Sequence, residues 1–242
     1  LTISEAHTNV SCNGAMDGSI VVSVSGGTGD YTYVWQDMMP TDEDYESLGP
    51  GVYSVVVTDG NDCSVSIEVE ITEPEELTIL ETHTNVSCFG GNDALIDLNV
   101  SGGVEPYNYF WSNGEITEDV SNLGVGSYSV LVTDSNDCTE TLEFEITEPE
   151  ELTISEAHTN VSCNGAMDGS IVVSVSGGTG DYTYVWQDMM PTDEDYKSLG
   201  PGIYSVVVTD ENNCSVSIEI EITEPEPFNI SFNSDPGEYV DC

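Results

Sequence analysis

Cysteines are the residues of this sequence best suited to chemistry, because they recur at matched positions of an internal repeat. Seven occur in 242 residues, at Cys12, Cys63, Cys88, Cys138, Cys163, Cys214 and Cys242. This density in small units favours disulfides and therefore an oxidising, extracellular compartment. No two cysteines have the C-x2-C spacing typical of zinc sites, so the sequence does not indicate structural zinc.

Carboxylates form the second group that could do chemistry. The chain has 46 acidic residues, no arginine and one lysine, Lys197, which gives a formal net charge of −45. That charge excludes the basic surface of nucleic-acid-binding proteins and disfavours anionic membranes. Two interpretations of the Asp- and Asn-rich turns stay open, backbone turns or calcium binding through carboxylate oxygens. The candidate calcium ligands are Asp17, Asp59, Asp62, Asp93, Asp134, Asp137, Asp168 and Asp210. No cofactor is certain.

Catalytic motifs are missing from the sequence. It has no G-x-S-x-G elbow, no phosphate-binding loop and no zinc-protease motif. Near-identical repeats also argue against one unique active site. We therefore expect that the protein is not an enzyme.

An internal repeat sets the domain organisation. The segment "LTISEAHTNVSC" at Leu1 returns as "LTILETHTNVSC" at Leu77 and unchanged at Leu152. Repeats of this length predict small stacked units. We predict β-sandwich domains at 1–75, 76–150 and 151–226, and a truncated fourth domain starting at 227–242. We expect the chain to be an internal piece of a longer protein.

Alternating apolar residues predict short strands that position these groups. In the first repeat, strands are expected near 1–8, 19–25, 31–35, 51–58 and 65–71, with a polar loop after the third. Short strands separated by Gly, Asn and Asp are typical of an all-β, immunoglobulin-like antiparallel sandwich. Residues Trp35, Trp111 and Trp186 are expected in the cores, and Tyr53, Tyr128 and Tyr204 in tyrosine corners.

The joins between repeats are short and contain Pro74, Pro149 and Pro225. Proline fixes φ and interrupts a continuous strand. We therefore expect a head-to-tail rod with limited hinging.

Strand direction bears on the disulfide pairing. Cys12 follows the first strand and Cys63 lies at the opposite end of the same sandwich, on the order of 20–25 Å away. A disulfide needs Cα atoms within about 7 Å. In a head-to-tail rod, the far end of one repeat would abut the near end of the next. The inter-repeat pairs Cys12–Cys138 and Cys88–Cys214 are therefore preferred. The intra-repeat pairs Cys12–Cys63, Cys88–Cys138 and Cys163–Cys214 stay an alternative, as do free thiols.

Exposed aromatic residues would indicate carbohydrate binding by each repeat, the alternative function. Tyr45 and Tyr196, expected in the loop after the third strand, are the candidates. Val120 in the related place of the second repeat weakens this interpretation.

The segments "CNGAMDGSIVVSVSGGTGDYTYVW" and "LGPGVYSVVVTDGNDC" resemble the SprB repeat of gliding bacteria, and all three repeats carry the pattern. The resemblance implies a stalk segment of a very long cell-surface adhesin filament, used in surface attachment and gliding motility. It also implies outer-membrane association, export by type IX secretion, and movement by the gliding machinery. The implied partners are further repeats of the chain and surface or polysaccharide ligands, with no nucleic acid.

Overall fold

The computed structural model describes residues 1–36, 42–187 and 192–231. These residues form two compact units, Leu1–Thr84 with Ala94–Ile146, and Asn85–Asp93 with the chain from Thr147 onward. The predicted domain boundaries stay a prediction. Most of the predicted fourth domain, including Cys242, lies outside the described residues. In the described part of the chain, no helix has the length and hydropathy that a membrane span requires.

The first unit contains two sandwiches. The first sandwich is built of β1 (Thr2–Thr8), β2 (Gly18–Ser25), β3 (Thr32–Trp35), β4 (Asp44–Leu48), β5 (Gly51–Thr58) and β6 (Ser64–Ile71). The second is built of β7 (Thr78–Thr84), β8 (Ala94–Ser101), β9 (Asn108–Trp111), β10 (Val120–Leu123), β11 (Gly126–Thr133) and β12 (Thr139–Ile146). Each has two three-stranded antiparallel sheets, ordered β1-β2-β4 and β3-β5-β6 in the first, and β7-β8-β10 and β9-β11-β12 in the second.

The second unit contains one sandwich of the same order. Its strands are β13 (Thr153–Thr159), β14 (Gly169–Ser176), β15 (Thr183–Trp186), β16 (Asp195–Leu199), β17 (Gly202–Thr209) and β18 (Ser215–Ile222). They pair as β13-β14-β16 and β15-β17-β18.

The period-two pattern of the strands produces each core. In the first repeat, Ile20, Val55 and Val57 are fully buried, whereas Val21 and Val56, one residue further along, are exposed. Burial of alternate side chains from two facing sheets is what holds a sandwich together. The tryptophans lie in these cores, with Trp35, Trp111 and Trp186 at most 1% exposed. The predicted tandem immunoglobulin-like sandwich fold is confirmed.

Strand β4 is the element that the sequence pattern missed. It lies where we predicted a polar loop, and Tyr45 pairs with Ile20 of β2. Its alternation is broken because Ser47, at φ 60°, is an extra residue in a β-bulge. The bulge places Tyr45 and Leu48, three positions apart, on the same inner face. The same bulge occurs at Asn122 and Ser198.

Candidate functional site: the disulfide-linked loops

Two loops of each repeat carry its cysteines. The first loop joins the first two strands and spans residues 9–17, 85–93 and 160–168 in the three repeats. The cysteine turn joins the last two strands and spans residues 59–63, 134–138 and 210–214.

The disulfides join loops of different repeats. Cys12 is bonded to Cys138 in the first unit, with Cα atoms 5.7 Å apart. Cys88 is bonded to Cys214 in the second unit, with Cα atoms 5.6 Å apart. The intra-repeat alternatives Cys12–Cys63, Cys88–Cys138 and Cys163–Cys214 are not formed. Cys63 and Cys163 are exposed free thiols.

The first loop is held against the segment that leads out of its own sandwich. In the first repeat, the Val10 N–H donates to the Thr72 carbonyl, and the Thr72 N–H donates to Asn9 Oδ1 at 2.9 Å. The Gly14 N–H donates to Glu73 Oε2 at 2.7 Å. These bonds fix the loop and the linker to each other, and so set where Cys12 is presented.

The first loop of the second repeat repeats this arrangement within the second unit. The Gly90 N–H donates to Glu148 Oε2 at 2.6 Å, and the Thr147 N–H donates to Asn85 Oδ1 at 2.9 Å. Loop, linker and Cys88 therefore form one hydrogen-bonded group, as they do around Cys12.

A buried aspartate shapes each cysteine turn. Asp134 is 1% exposed, and its Oδ1 accepts the N–H groups of Asn136 and Cys138 at 2.8 and 2.9 Å. Its Oδ2 accepts the Val104 N–H at 2.8 Å. A buried carboxylate needs such partners, because desolvating an unpaired charge is costly. Asp59 and Asp210 make the matching bonds in their turns.

An asparagine side chain crosses each joint beside the disulfide. Asn136 Nδ2 donates to the Ser11 carbonyl at 2.9 Å. Asn212 Nδ2 donates to the Ser87 carbonyl at the same distance. Each joint therefore combines one covalent bond with one directional hydrogen bond.

The candidate calcium ligands are distributed over these loops rather than gathered into one cluster. Among the residues that the structure describes, no group of three or more His, Cys, Asp or Glu side chains could hold a metal ion. Asp17, Asp93 and Asp168 accept the N–H of Ser11, Ser87 and Ser162 within their own loops. Asp62 and Asp137 are exposed turn residues with positive φ. Calcium binding stays a prediction.

Hydrogen bonding lowers the pKa of several of these carboxyl groups. The Ser11, Ser87 and Ser162 hydroxyls, followed by their N–H groups, lower the pKa values of Asp17, Asp93 and Asp168. The Cys63 N–H, followed by that of Asn61, lowers the pKa of Asp59. Hydrogen bonding thus favours the ionised carboxylate in the three first loops and in the first cysteine turn.

The predicted tyrosine-corner residues lie near the start of β5, β11 and β17, and each hydroxyl ties its strand to the turn before that strand. The Tyr53 hydroxyl donates to the Gly49 carbonyl at 3.0 Å, and Tyr128 and Tyr204 donate to Gly124 and Gly200 at 3.1 Å. These are bonds within one sandwich, so they support the fold that positions the cysteines.

The candidate ligand-binding tyrosines belong to strands. Tyr45 lies in β4 and Tyr196 in β16, so the predicted loop position is wrong. Both rings are half-buried against the core, and Tyr45 lies 5.1 Å from Trp35 and 5.8 Å from Tyr53 between ring centroids. The bulge in β4 explains the error, since it turns Tyr45 to the inner face.

Sequence reasoning missed the hydrogen-bonding role of the polar residues that support the joint. Asn9, Glu73 and Asn136 each make a bond described above, and each recurs at the matching position of the other repeats. Their recurrence indicates that these positions have a structural role. Their hydrogen-bond partners could not be predicted, because the partners lie 59 to 125 residues away along the chain.

Comparison with known proteins gives one family match. A family model described as the SprB repeat matches residues 4–39, 80–116 and 155–190. No curated protein sequence matches the chain.

Several solved structures of tandem domains are similar over most of the chain, at low identity. An eight-immunoglobulin-domain structure of Down Syndrome Cell Adhesion Molecule has 11% identity and a TM-score of 0.40, with 81% of this chain and 33% of that one covered. Protocadherin Gamma B7 cadherin domains 1–4 have 13% identity and a TM-score of 0.32, with 90% of this chain and 71% of that one covered. Surface layer protein SbsC domains 1–6 have 11% identity and a TM-score of 0.30, with 94% of this chain and 40% of that one covered. This chain thus spans a third of the length of the first of these structures.

Proposed function

We propose that this chain, whose three repeats are SprB repeats, is a tension-bearing stalk segment of a long secreted cell-surface adhesin. In this role the repeats transmit force between a cell and the surface to which it attaches. Gliding motility, export by type IX secretion and outer-membrane association belong to the same proposal. The role is structural and needs no catalytic group.

The observation that carries the proposal is the covalent link between successive repeats. Cys12–Cys138 and Cys88–Cys214 each tie the first loop of one repeat to the cysteine turn of the next. A stabilising disulfide inside one sandwich would serve folding alone. A bond from one repeat to the next also gives pulling force a path that does not depend on the linker.

The linkers are additionally held by their neighbours. At the first joint, the Gly103 N–H donates to the Glu75 carbonyl at 2.8 Å, while Glu73 is bound by Gly14. At the second, the Gly178 N–H donates to the Glu150 carbonyl at 2.8 Å. Linkers bonded at both ends hinge less than free ones, which supports a role in carrying load.

The connectivity limits how far the chain can lengthen under force. The shortest covalent path runs from the start of the chain to Cys12, across to Cys138, back along the chain to Cys88, across to Cys214, and on to the end. That path holds about 90 residues, or roughly 300 Å when fully extended. Without the disulfides the path holds all 242 residues, roughly 800 Å.

Single-molecule pulling on the two chain ends tests the proposal. The oxidised protein is expected to extend to no more than roughly 300 Å. A Cys12→Ser/Cys88→Ser variant is expected to extend to roughly 800 Å. A Cys63→Ser/Cys163→Ser variant is the matched control, since it loses two cysteines but no disulfide, and should behave like the parent. Equal extensions for the oxidised parent and the Cys12→Ser/Cys88→Ser variant would contradict the proposal.

Attachment by the bacterium that makes the protein tests the cellular part. Cells that carry the Cys12→Ser/Cys88→Ser change at these repeats should export the protein yet detach at lower shear than cells with the control change. Unchanged attachment and gliding after removal of the repeats would contradict the adhesin role. Binding of the isolated chain to a glycan array would instead support the carbohydrate-binding alternative.

A further inference from the structure

We infer that Cys63 and Cys163 are the two complementary halves of a further joint of the same kind between SprB repeats, which two copies of this chain can close with each other. Cys63 lies in a cysteine turn and Cys163 in a first loop, the two loop types that the internal disulfides connect. The inference concerns these loops alone and does not depend on the adhesin role.

Both free loops already have the conformation of the bonded ones. In the turn, Asp59 accepts the N–H groups of Thr28, Asn61 and Cys63, each at 2.9 Å, which matches the set around Asp134. In the loop, the Gly165 N–H donates to Glu224 Oε2 at 2.8 Å, as Gly14 does to Glu73. Neither loop has to reorganise before it binds, which lowers the entropic cost of association.

Exposure gives a second, independent observation. Cys12, Cys88, Cys138 and Cys214 are half-buried where their loops meet, whereas Cys63 and Cys163 are exposed. The serine before each first-loop cysteine shows the same difference in exposure. Ser11 and Ser87 are half-buried, whereas Ser162 is exposed. The two free loops therefore present the surface that the internal joints cover.

The non-covalent contact is available as well. Asn61 occupies the position of Asn136 and Asn212, whose side chains donate to the Ser11 and Ser87 carbonyls. We expect Asn61 to donate to the Ser162 carbonyl of the other copy. This bond would orient the loops before the sulfurs react.

Closure of the joint is an oxidation. Two thiols lose two protons and two electrons and form one S–S bond. A disulfide oxidant such as oxidised glutathione accepts both electrons and is released as two thiols. Because each copy has a net charge of −45, closure should be faster at about 0.15 M salt, where the Debye length falls to about 8 Å.

The test uses variants that each keep one half of the joint. Cys242 lies outside the described residues and is replaced by serine in every protein. C63S keeps Cys163, and C163S keeps Cys63. Each is incubated in glutathione redox buffer alone and in an equimolar mixture, and the products are mapped by non-reducing peptide analysis.

The mixture is expected to give a dimer with a Cys63–Cys163 linked peptide, while each variant alone stays largely monomeric. The parent with both thiols should form a ladder of longer products. Symmetric Cys63–Cys63 or Cys163–Cys163 dimers in the same yield as the mixed dimer, or no dimer in the mixture, would overturn the inference. Neither result would affect the internal disulfides or the pulling experiment above.

A second variant separates recognition from simple thiol reactivity. Asn61→Ala in the C163S chain should slow formation of the mixed dimer about fivefold, since one hydrogen bond contributes on the order of 1 kcal/mol. Ser66→Ala, an exposed change on β6 of the same sandwich, is the control and should leave the rate unchanged. Equal rates for Asn61→Ala and Ser66→Ala would show that the loops do not recognise each other.

Discussion

The ring of Trp111 meets the ring of Phe144 edge to face, with centroids 6.0 Å apart. In the first repeat, the matching tryptophan, Trp35, lies 5.1 Å from Tyr45 instead. Register explains the difference. Val120 pairs with Ile96 as Tyr45 pairs with Ile20, and Phe144 pairs with Tyr128 as Val69 pairs with Tyr53. The second repeat has therefore moved its aromatic partner from the fourth strand to the sixth.

This exchange predicts coupling between positions 120 and 144. Val120→Tyr alone should overpack the core and cost about 1–3 kcal/mol, and Phe144→Val alone should leave a cavity and cost a similar amount or more. The double variant restores the arrangement of the first repeat. It should be more stable than the sum of the single changes predicts, by about 0.5–3 kcal/mol in urea unfolding. Additive losses would show that the two side chains do not share one space.

A prediction at Gly102 separates backbone strain from crowding. Gly102 and Gly90 have similar φ of 77° and 70°, but a Cβ at Gly102 would overlap the Glu76 carbonyl oxygen, whereas a Cβ at Gly90 would meet no atom within 4 Å. Gly90→Ala should therefore cost only the left-handed conformation, about 1–2 kcal/mol. Gly102→Ala should lower the unfolding midpoint further, because the linker must also shift. Equal losses in the two variants would contradict this explanation.

Acid should weaken the first loop of the second repeat. The Ser87 hydroxyl and N–H lower the pKa of Asp93 from its ordinary value of 3.8. A carboxyl whose pKa is lower in the folded state adds stability that is complete above the unfolded pKa and is lost as the pH falls through the folded pKa. Asp93→Asn should therefore be less stable than the parent at neutral pH, with the difference shrinking below about pH 3.8.

Urea midpoints between neutral pH and pH 3 measure this effect. Asp97→Asn, at an exposed position of β8, removes the same charge and controls for the general repulsion in this acidic chain. A deficit of Asp93→Asn that persists unchanged at low pH would show that the carboxylate charge does not matter there.

Calcium binding is testable by thermal unfolding. In the cysteine turns, Asp59 and Asp134 already accept three N–H groups each, so an ion would compete with bonds that hold the turn. If calcium binds at these turns, about 1 mM calcium, a level at which extracellular calcium modules bind, should raise the melting temperature more than equal magnesium does, and a chelator should reverse the rise. Equal effects of the two ions would favour the interpretation as backbone turns.

Much of the fold was readable from the sequence because each strand buries every second side chain. Ile20, Val22 and Val24 share one face in β2, and Val55 and Val57 share one in β5. The bulge at Ser47 broke that rule in β4, so the strand and the position of Tyr45 were both missed. A single residue at positive φ is enough to hide a strand from a period-two pattern.

The disulfide-linked joint could be predicted only in part, for a different reason. The order of the strands along the chain places Cys12 and Cys63 at opposite ends of one sandwich, and this could be predicted from the sequence. The bond from Asn136 to the Ser11 carbonyl depends on where two loops meet after folding. Local sequence patterns contain no information about such a meeting, although the recurrence of the asparagine marked it as a position to examine.

The two disulfides overlap along the sequence, since the span from Cys12 to Cys138 contains Cys88, and the span from Cys88 to Cys214 contains Cys138. Every peptide bond between Cys12 and Cys214 is therefore bridged by at least one of them. A protease that cuts either linker once would nick the molecule without severing it, and the fragments would separate only after reduction. For a protein exposed to the enzymes of its surroundings, this interlocking gives tolerance to damage that independent domains on a simple string would lack.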